Sequence, residues 1–543
     1  MKSNFEKIIK HLIKVDPEDR SAFVIARRKM SNSLKIAPPQ SSDLIRTYRQ
    51  LLKKKKIKEN KTVLNFLKKR EVRTISGVAP IAVLTKPYPC PGKCIYCPTE
   101  SKMPKSYLSS EPAVMRAIIN NFDPFKQVRM RLRALGANGH ELDKCELIIL
   151  GGTWSFLPKP YQQNFIRRCF DGLNGKISKN LASAQKLNET AKNRCVGITV
   201  ETRPDYIDAE EIARMRNLGV TKVEIGLQNI SDDILKLNKR GHNVNDVIEA
   251  TKMLKDAGFK VGYHLMPNLL GATVKSDLEM FKKIFNDNNF KPDYLKIYPC
   301  VVTKNSRLYK LWRQKKYKSY TDKQLCNLLL QIKKIMPPYV RISRLVRDIP
   351  SENIVAGNKI SNLRQLLSDD LKKKKITCRC IRCRETGHNL ADSASLIANG
   401  SKPKLKIKKY PASDGTEYFL SYESSNRKIL YAFLRLRLPK KTDAEIIKAI
   451  PEIDNSALIR ELHTYGQLIP LRKTGQVQHT GFGKKLMAEA EKICRQSKLK
   501  KIAVISGIGV RQYYKKLGYR LEDSYMTKTL KKRPTNNSQP AFS

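Results

Sequence analysis

Between residues 145 and 299, short apolar runs alternate with longer amphipathic ones. The runs "CELIIL" (145–150), "VGITVETRPD" (196–205), "VEIGLQNI" (223–230), "FKVGYHLMPNLLG" (259–271) and "DYLKIYP" (293–299) end in, or run straight into, polar residues or glycine. Segments with helical spacing, such as "DAEEIARMRNLG" and "VNDVIEATKMLKDAG", separate them. This alternation predicts parallel strands joined by crossover helices, with function gathered where strands end. On that rule Glu201, Arg203, Gln228, His264 and Asn268 face a common cavity, although each serves equally well as a structural hydrogen-bonding group. Gly151 and Gly152, ahead of Thr153, let the backbone approach a ligand closely.

The two ends of the chain carry other patterns. Residues 1–75 read as amphipathic helices leading into "LLKKKKIKENK", rich in Lys and Arg and without a catalytic motif. Near residue 411 the pattern changes again. "ILYAFLRLRLP" alternates like a strand, and "ALIRELHTYGQLIPL" reads as a long one. Then Gln478, Gly481 and Gly483 form Q-x-x-G-x-G, followed by one apolar helix face of Leu486, Met487, Ala490, Ile493 and Cys494. A glycine-rich turn opening a helix offers unpaired N–H groups to a pyrophosphate. "KIAVISGIG" is the next strand and "VRQYYKKLGY" its helix. The whole arrangement resembles a GNAT-type, acetyl-CoA-binding domain more than a generic α/β domain.

Composition narrows the partners. A chain of 543 residues with 41% apolar content holds roughly two to four folded domains. Its formal charge of +57 points to a polyanion, nucleic acid before an anionic membrane. The N-terminus has no signal-peptide pattern, and no apolar run approaches the ~18 residues of a membrane span. The expectation is therefore a cytoplasmic protein with no membrane partner. In a reduced compartment its cysteines are metal ligands or core thiols rather than disulfides. Cys145, Cys169, Cys195, Cys300, Cys326 and Cys494 are scattered and read as core.

Two tight groups remain. Cys90, Cys94 and Cys97 stand in "CPGKCIYC", and Cys378, Cys380 and Cys383 in "CRCIRC". The first has C-x3-C-x2-C spacing. Three thiolates leave one iron of a 4Fe-4S cluster free, whereas a zinc site would need a fourth ligand from elsewhere. The spacing, with Tyr96 before the last cysteine, resembles the radical S-adenosylmethionine (SAM) enzymes. There the free iron chelates SAM, whose cleavage gives a 5′-deoxyadenosyl radical, and a Gly-Gly turn like Gly151–Gly152 meets the amino group of SAM.

A radical SAM barrel joined to an acetyl-CoA domain resembles the catalytic subunit of Elongator in its stand-alone prokaryotic, archaeal-like form. "RTISGVAPIAVL", "GGTW", "ETRPD", "EIGLQ", "RGH", "MPNLLG", "CRCIRCRE", "ELHTYG" and "QHTGFGKKLM" carry the match, which runs from about residue 20 to 531. The resemblance implies a tRNA uridine acetyltransferase (carboxymethyluridine synthase) acting on the wobble uridine of the anticodon stem-loop. The radical would take hydrogen from the acetyl-CoA methyl, the carbon would add to C5 of uridine, and thioester hydrolysis would leave a carboxymethyl group. Such C–H chemistry is the cofactor's, while the protein positions and shields it.

The same resemblance assigns residues. Cys90, Cys94 and Cys97 are cluster ligands, the Gly151–Gly152 turn with Thr153 belongs to the SAM side, and the strand-end residues Glu201 and Gln228 are read as cofactor-binding. Lys144, Glu461, Leu462, His463, Thr464, Gln478, Gly481, Phe482, Gly483, Lys484 and Tyr514 belong to the acetyl-CoA side, with His463 and Tyr514 catalytic. Cys378, Cys380 and Cys383 match a zinc-binding linker whose fourth ligand is open between His388 and Cys300. The chain departs from the family at Gly92, Trp154 and Cys300, none of which removes a ligand.

The expected order is thus a basic tRNA-binding segment (1–75), a radical SAM partial (β/α) barrel (76–345), a zinc linker (346–410), a GNAT-type domain (411–531) and a disordered tail (532–543). Accessory subunits are not implied. Two rival readings stay open: a protein lysine acetyltransferase using only the second domain, and a non-catalytic RNA-binding protein with structural metals.

Overall fold

A computed structural model describes residues 2–68, 74–389, 393, 401–465 and 481–530; Gln478 and the 532–543 tail lie outside the described residues. Seven strands form one parallel sheet: β1 (Ala79–Leu84), β2 (Lys144–Leu150), β3 (Arg194–Thr202), β4 (Lys222–Gln228), β5 (Lys260–Leu265), β6 (Tyr294–Ile297) and β7 (Arg341–Arg344). They pair in chain order, every neighbour parallel. Right-handed crossovers taken in sequence curl such a sheet into an open barrel. The crossover helices start where a short polar side chain can cap them: Asp208, Ser231, Asn243 and Thr273 each accept from the backbone N–H three residues on.

The two faces of this sheet differ, and that difference builds the site. Cys145, Leu147 and Ile149 of β2, Val223, Ile225 and Leu227 of β4, Val261, Tyr263 and Leu265 of β5, and Leu295 and Ile297 of β6 pack in the main core under the helices. The alternate positions turn inward. Glu146, Lys222, Glu224, Lys260, His264 and Lys296 line a cavity. Parallel strands are ordinarily apolar on both faces. Here the inward face carries charge on β2, β4, β5 and β6 alike.

The second sheet holds β8 (Lys404–Ala412), β9 (Gly415–Glu423), β10 (Leu430–Pro439), β11 (Ser456–Thr464), β12 (Lys501–Val504), β13 (Arg520–Glu522) and β14 (Tyr525–Thr529). Its order is β13-β14-β12-β11-β10-β9-β8. Neighbours are antiparallel except β11 and β12, which run parallel over the four pairs from Ser456–Lys501 to Ile459–Val504. Because β8 begins at Lys404, the sheet starts inside the segment expected as linker.

This sheet docks against the N-terminal ends of β3 to β6. Arg460, fully buried, donates to Asp293 at 2.7 and 2.8 Å and to the Phe259 carbonyl at 2.6 Å. Arg437 reaches Asp256 at 2.6 Å, and Arg216 returns hydrogen bonds to the carbonyls of Ser506 and Ser524. A Cβ on Gly507 would collide with the Val196 carbonyl, so the glycine sets how closely the sheets approach. Against the cost of burial, Arg460 and Arg435 hold the Asp293 carboxyl far below its ordinary value. Removing one partner of such a buried pair costs about 3–5 kcal/mol.

The segment between the sheets is packed. The helix Leu363–Lys373 buries Leu363, Leu367 and Leu371 in the main core. Glu385 takes two hydrogen bonds from Arg341 of β7, while the neighbouring Thr386 donates to Leu430 of β10. At the N-terminus, helices Lys2–Val15, Arg20–Ser33, Ser41–Lys53 and Lys61–Leu67 share a separate core that includes Ile8, Leu12, Phe23, Leu44 and Tyr48. Arg49 ties this bundle to the barrel through the Gly136 carbonyl, 2.9 Å away. No helix among the described residues is long and apolar enough to cross a membrane.

A candidate active site spanning both sheets

One continuous cavity of about 3300 Å3 runs from the loop after β1, through the barrel, into the second sheet. Tyr96 and Pro98 border it at one end; His463, Gly483 and Tyr514 border it at the other.

At the first end, Cys90, Cys94 and Cys97 lie in the loop that leaves the C-terminal end of β1. The turn after β2 meets them, with Thr153 Oγ1 4.0 Å from Cys90 Sγ. Gly151 and Gly152 hold φ of +139° and +100°, values that favour glycine, and a Cβ on Gly151 would collide with Thr85 Oγ1. The Gly92 N–H donates to Cys90 Sγ at 3.4 Å, and Arg240 Nη1 lies 3.6 Å from Cys94 Sγ. Burial and the neighbouring Cys94 push the Cys97 thiol up to about 11, so a metal must displace its proton on binding.

The spacing of sulfurs separates the two cysteine groups. Sγ atoms of Cys378, Cys380 and Cys383 lie within 4.8 Å of one another, which suits one ion, since tetrahedral Zn–S bonds place sulfurs about 3.8 Å apart. Among the described residues, Cys90, Cys94 and Cys97 form no such close group. A multi-iron cluster, with each sulfur on its own iron, needs the wider set. Beside it, Gln228 Oε1 and Thr303 Oγ1 are buried without a hydrogen-bond partner, and both residues border the cavity, as does Tyr96. Gln228 is held at φ +68°. Buried polar atoms are almost always paired, so two unpaired groups on residues that border the cavity leave bonds for a polar ligand to supply. The donor set fits a cluster with SAM beside it.

Inside the barrel the charged side chains pair across strands. Lys296 bridges Glu201 of β3, at 2.7 Å, and Glu224 of β4. His264 Nε2 is 3.3 Å from Glu224 and 3.9 Å from Glu201. Lys222 joins Glu224, at 3.7 Å, to Glu146, at 2.9 Å. Tyr107 donates to Glu201 Oε2 at 3.1 Å. Against burial, which would raise them, Lys296 and His264 hold the carboxyls of Glu201 and Glu224 below their ordinary values. The lumen is therefore charged but internally neutralised.

At the far end, β11 pairs with β12 only as far as Ile459. From Glu461 to Thr464 it pairs with β10 alone. The two strands part there, and residues 461–464 line the opening opposite Ser506 and Gly507. The helix Phe482–Gln496 points its N-terminus into this wedge, with Gly481 at φ +68° as its cap. Gly483 has no room for a side chain, because a Cβ would lie 2.7 Å from Tyr513 Oη. Such an N-terminus receives phosphate. Burial lowers the His463 imidazole, so it is neutral. Its Nε2 is 3.1 Å from the Ser76 carbonyl, which can only accept. Nε2 therefore carries the hydrogen and Nδ1 is the basic nitrogen.

The model of the radical SAM superfamily matches residues 88–284, and that of the radical SAM C-terminal domain matches residues 292–373. The tRNA uridine(34) acetyltransferase of Methanocaldococcus infernus is 46% identical over 508 residues, 90% of this chain and 94% of that protein. Human Elongator complex protein 3 is 40% identical, covering 87% of each. The chain belongs to the Elongator complex protein 3 family. The solved structure of the Methanocaldococcus infernus family member, lacking its residues 1–46, is 44% identical, covers 84% of this chain and all of that one, and superposes with a TM-score of 0.73.

Within this family member, the residues singled out from sequence fall into three groups. Glu201, Gln228 and His264 line the cavity, whereas Gly151, Gly152 and Thr153 lie in the turn after β2 beside the cysteine loop, Thr153 Oγ1 being 4.0 Å from Cys90 Sγ. Lys144, at the exposed start of β2, lines it too, together with Glu461, Leu462, His463, Thr464, Gly481, Phe482, Gly483, Lys484 and Tyr514. Glu461 is committed to Arg435, at 2.8 Å, and to Tyr294 Oη, at 2.5 Å, so its carboxylate braces the strand.

Two of the strand-end residues do not face the cavity. Arg203 lies instead against Gly92 of the cysteine loop and is spent on Asp205 and on the carbonyls of Arg240 and Gly241. Asn268 accepts from Tyr320 N–H and donates to Lys318. Neither open candidate completes the second cysteine group: His388 pairs with Glu385 at 3.3 Å, and Cys300 packs in a separate cluster with Leu308 and Tyr317. Lys333 Nζ lies instead 3.5 Å from Cys383 Sγ.

Lys222, Glu224, Lys296, Tyr107 and Arg240 were not singled out. The signal for three of them was present: "KVEIGLQ" and "YLKIY" place Lys222, Glu224 and Lys296 at alternate positions of otherwise apolar strands. That is the mark of a polar lumen.

Proposed function

We propose that this chain modifies the wobble uridine, position 34, of tRNA, drawing the added carbon from acetyl-CoA. The single observation that carries the reading is the cavity shared by the cysteine loop and the β11 wedge. A reaction using both cofactors needs both at one substrate, and a common chamber supports that. The names of the relatives, tRNA uridine(34) acetyltransferase and Elongator complex protein 3, supply the substrate. The charge of +57 supports a tRNA partner, with phosphates met by the Lys-rich N-terminal helices.

When bound, a 4Fe-4S cluster on Cys90, Cys94 and Cys97 with SAM supplies radical chemistry at an unactivated C–H bond. The chain's own groups do the rest. The N-terminus at Gly481–Lys484 receives the pyrophosphate of acetyl-CoA, and Lys144, on the same cavity, adds a cation. Leu462 to Thr464 offer the backbone groups that β12 leaves unpaired. His463, neutral with Nδ1 basic, takes a proton from the water that releases CoA, and Tyr514, which lines the same cavity, donates to the thioester oxygen. The anticodon loop presents its base already unstacked. Cys378, Cys380 and Cys383 suit a structural zinc, its fourth ligand coming from neither His388 nor Cys300. We place this work in the cytoplasm.

The test is nucleoside mass spectrometry after an anaerobic reaction of the cluster-loaded chain with unmodified tRNA, SAM, acetyl-CoA and a reductant. 5-Carboxymethyluridine that disappears with Cys94→Ala is expected. Acetyl transfer to protein that survives Cys94→Ala, with no modified uridine, would overturn the proposal.

A further inference from the structure

We infer that Arg240 sets the reduction potential of the cluster held by Cys90, Cys94 and Cys97, acting as the counter-charge to the Cys94 sulfur. The inference rests on the cluster reading above and concerns a residue outside the proposed ligand set. Arg240 is 7% exposed. Its Nε and Nη2 donate to the Gly226 carbonyl at 3.3 and 2.8 Å, which aims Nη1 at Cys94 Sγ, 3.6 Å away. A Cβ on residue 226 would lie 2.5 Å from Nη2, so the glycine in "EIGLQ" makes room for the guanidinium.

The charge is unusual in having no carboxylate. Among the described residues, Arg240 makes no ion pair with an acid. The nearest acid acting on it, Asp205, is bound through both oxygens by Arg203. Arg203 in turn donates to the Arg240 carbonyl at 3.0 Å, which fixes the backbone. A buried cation is costly unless paired. The partner on hand is thiolate sulfur.

Adding one electron to a thiolate-ligated cluster makes it more negative. A fixed cation and an N–H donor at a ligand sulfur stabilise that reduced form and raise the potential. The electron comes from a low-potential one-electron donor, which is oxidised by one as the cluster is reduced by one; no bond is made or broken. His242, two residues on, adds no second charge, because burial and the adjacent Arg240 and Arg203 push its imidazole down to about 2.

The test is an anaerobic redox titration followed by electron paramagnetic resonance, on full-length chain with measured iron and sulfide content. Arg240→Met is expected to lower the midpoint. At the potential that half-reduces the wild type, its reduced-to-oxidised ratio should fall at least about tenfold, which is 59 mV for a one-electron couple. Arg240→Lys, which keeps the charge, should recover part of the shift. If Arg240→Met takes up too little iron, Arg240→Gln, which keeps N–H donors without charge, should shift in the same direction. A fully loaded Arg240→Met or Arg240→Gln with an unchanged midpoint overturns the inference while leaving the cluster reading intact. A wild-type chain that takes up no reducible cluster overturns the cluster reading and, with it, this inference.

Discussion

Replacing Lys296 with Met leaves Glu201 and Glu224 facing each other in the barrel lumen without the ammonium that bridges them. Both carboxylates are buried, 15% and 3% exposed at the side chain. Some compensation survives: Glu224 keeps Lys222 at 3.7 Å, and Glu201 keeps the Tyr107 hydroxyl at 3.1 Å. Breaking one partner from a buried network costs about 3–5 kcal/mol. For a domain of this size that lowers the melting temperature by on the order of 10 °C.

The sign with pH follows from the same groups. In the wild type Lys296 and His264 hold these carboxyls below their ordinary values against the cost of burial. That contribution is present above the ordinary carboxylate range and lost as pH falls through the lowered values. In Lys296→Met, burial and mutual repulsion raise one carboxyl instead. Its stability is then present in acid and lost as pH rises through the raised value. The deficit relative to wild type should therefore be larger at pH 8 than at pH 5. Scanning fluorimetry across that range, on wild type, Lys296→Met and Lys296→Met with Glu201→Gln, reads it directly. The double variant should recover at least half the loss. Equal melting temperatures at pH 8, or a double variant no better than the single one, would refute the argument that the lumen is an interdependent charge network.

Three further predictions use other buried groups. Burial raises the Asp277 carboxyl to about 6, so its stability is present below the ordinary carboxylate range and lost as pH rises through 6; Asp277→Asn should gain about 1–3 kcal/mol at pH 8 relative to pH 4.5, read by chemical unfolding at the two pH values. Against burial, Arg341 and His388 hold Glu385 down to about 2. Glu385→Gln should cost about 3 kcal/mol at neutral pH, in unfolding titrations, and the difference should close as pH falls toward 2. Gly151→Ala must clear Thr85 Oγ1 and adopt φ +139°, for a loss of about 2 kcal/mol or more; pairing it with Thr85→Ala should restore only the steric part in the same unfolding assay.

The alternation from residue 145 to 299 predicted the parallel sheet because strand-like segments, apolar at alternate positions, interleave with amphipathic helical segments. What escaped has physical reasons. β8, "KLKIKKYPA", reads as a basic patch because it is an edge strand, where lysines guard the open hydrogen-bonding row. β7 and β13 hold only four and three residues, too few for a period to register. Arg460 and Asp293 each look like ordinary strand residues; only the docking of the second sheet turns them into a buried pair. At the site, Arg203 looked like a strand-end ligand group. Asp205, two residues on, claims it, as an Asx-like neighbour often does. Glycine readings transferred well, since Gly151, Gly152 and Gly483 are each demanded by a close approach or a positive φ.

The central claim is that the cysteine loop and the β11 wedge serve one reaction in one chamber. It is tested most directly with acetyl-CoA carrying 13C at both acetyl carbons, followed by mass spectrometry of uridine 34. The account predicts a modified uridine heavier by two labelled carbons, formed only when SAM is also present. Label reaching tRNA or protein equally well without SAM would mean that the two ends of the cavity work independently, and would contradict it.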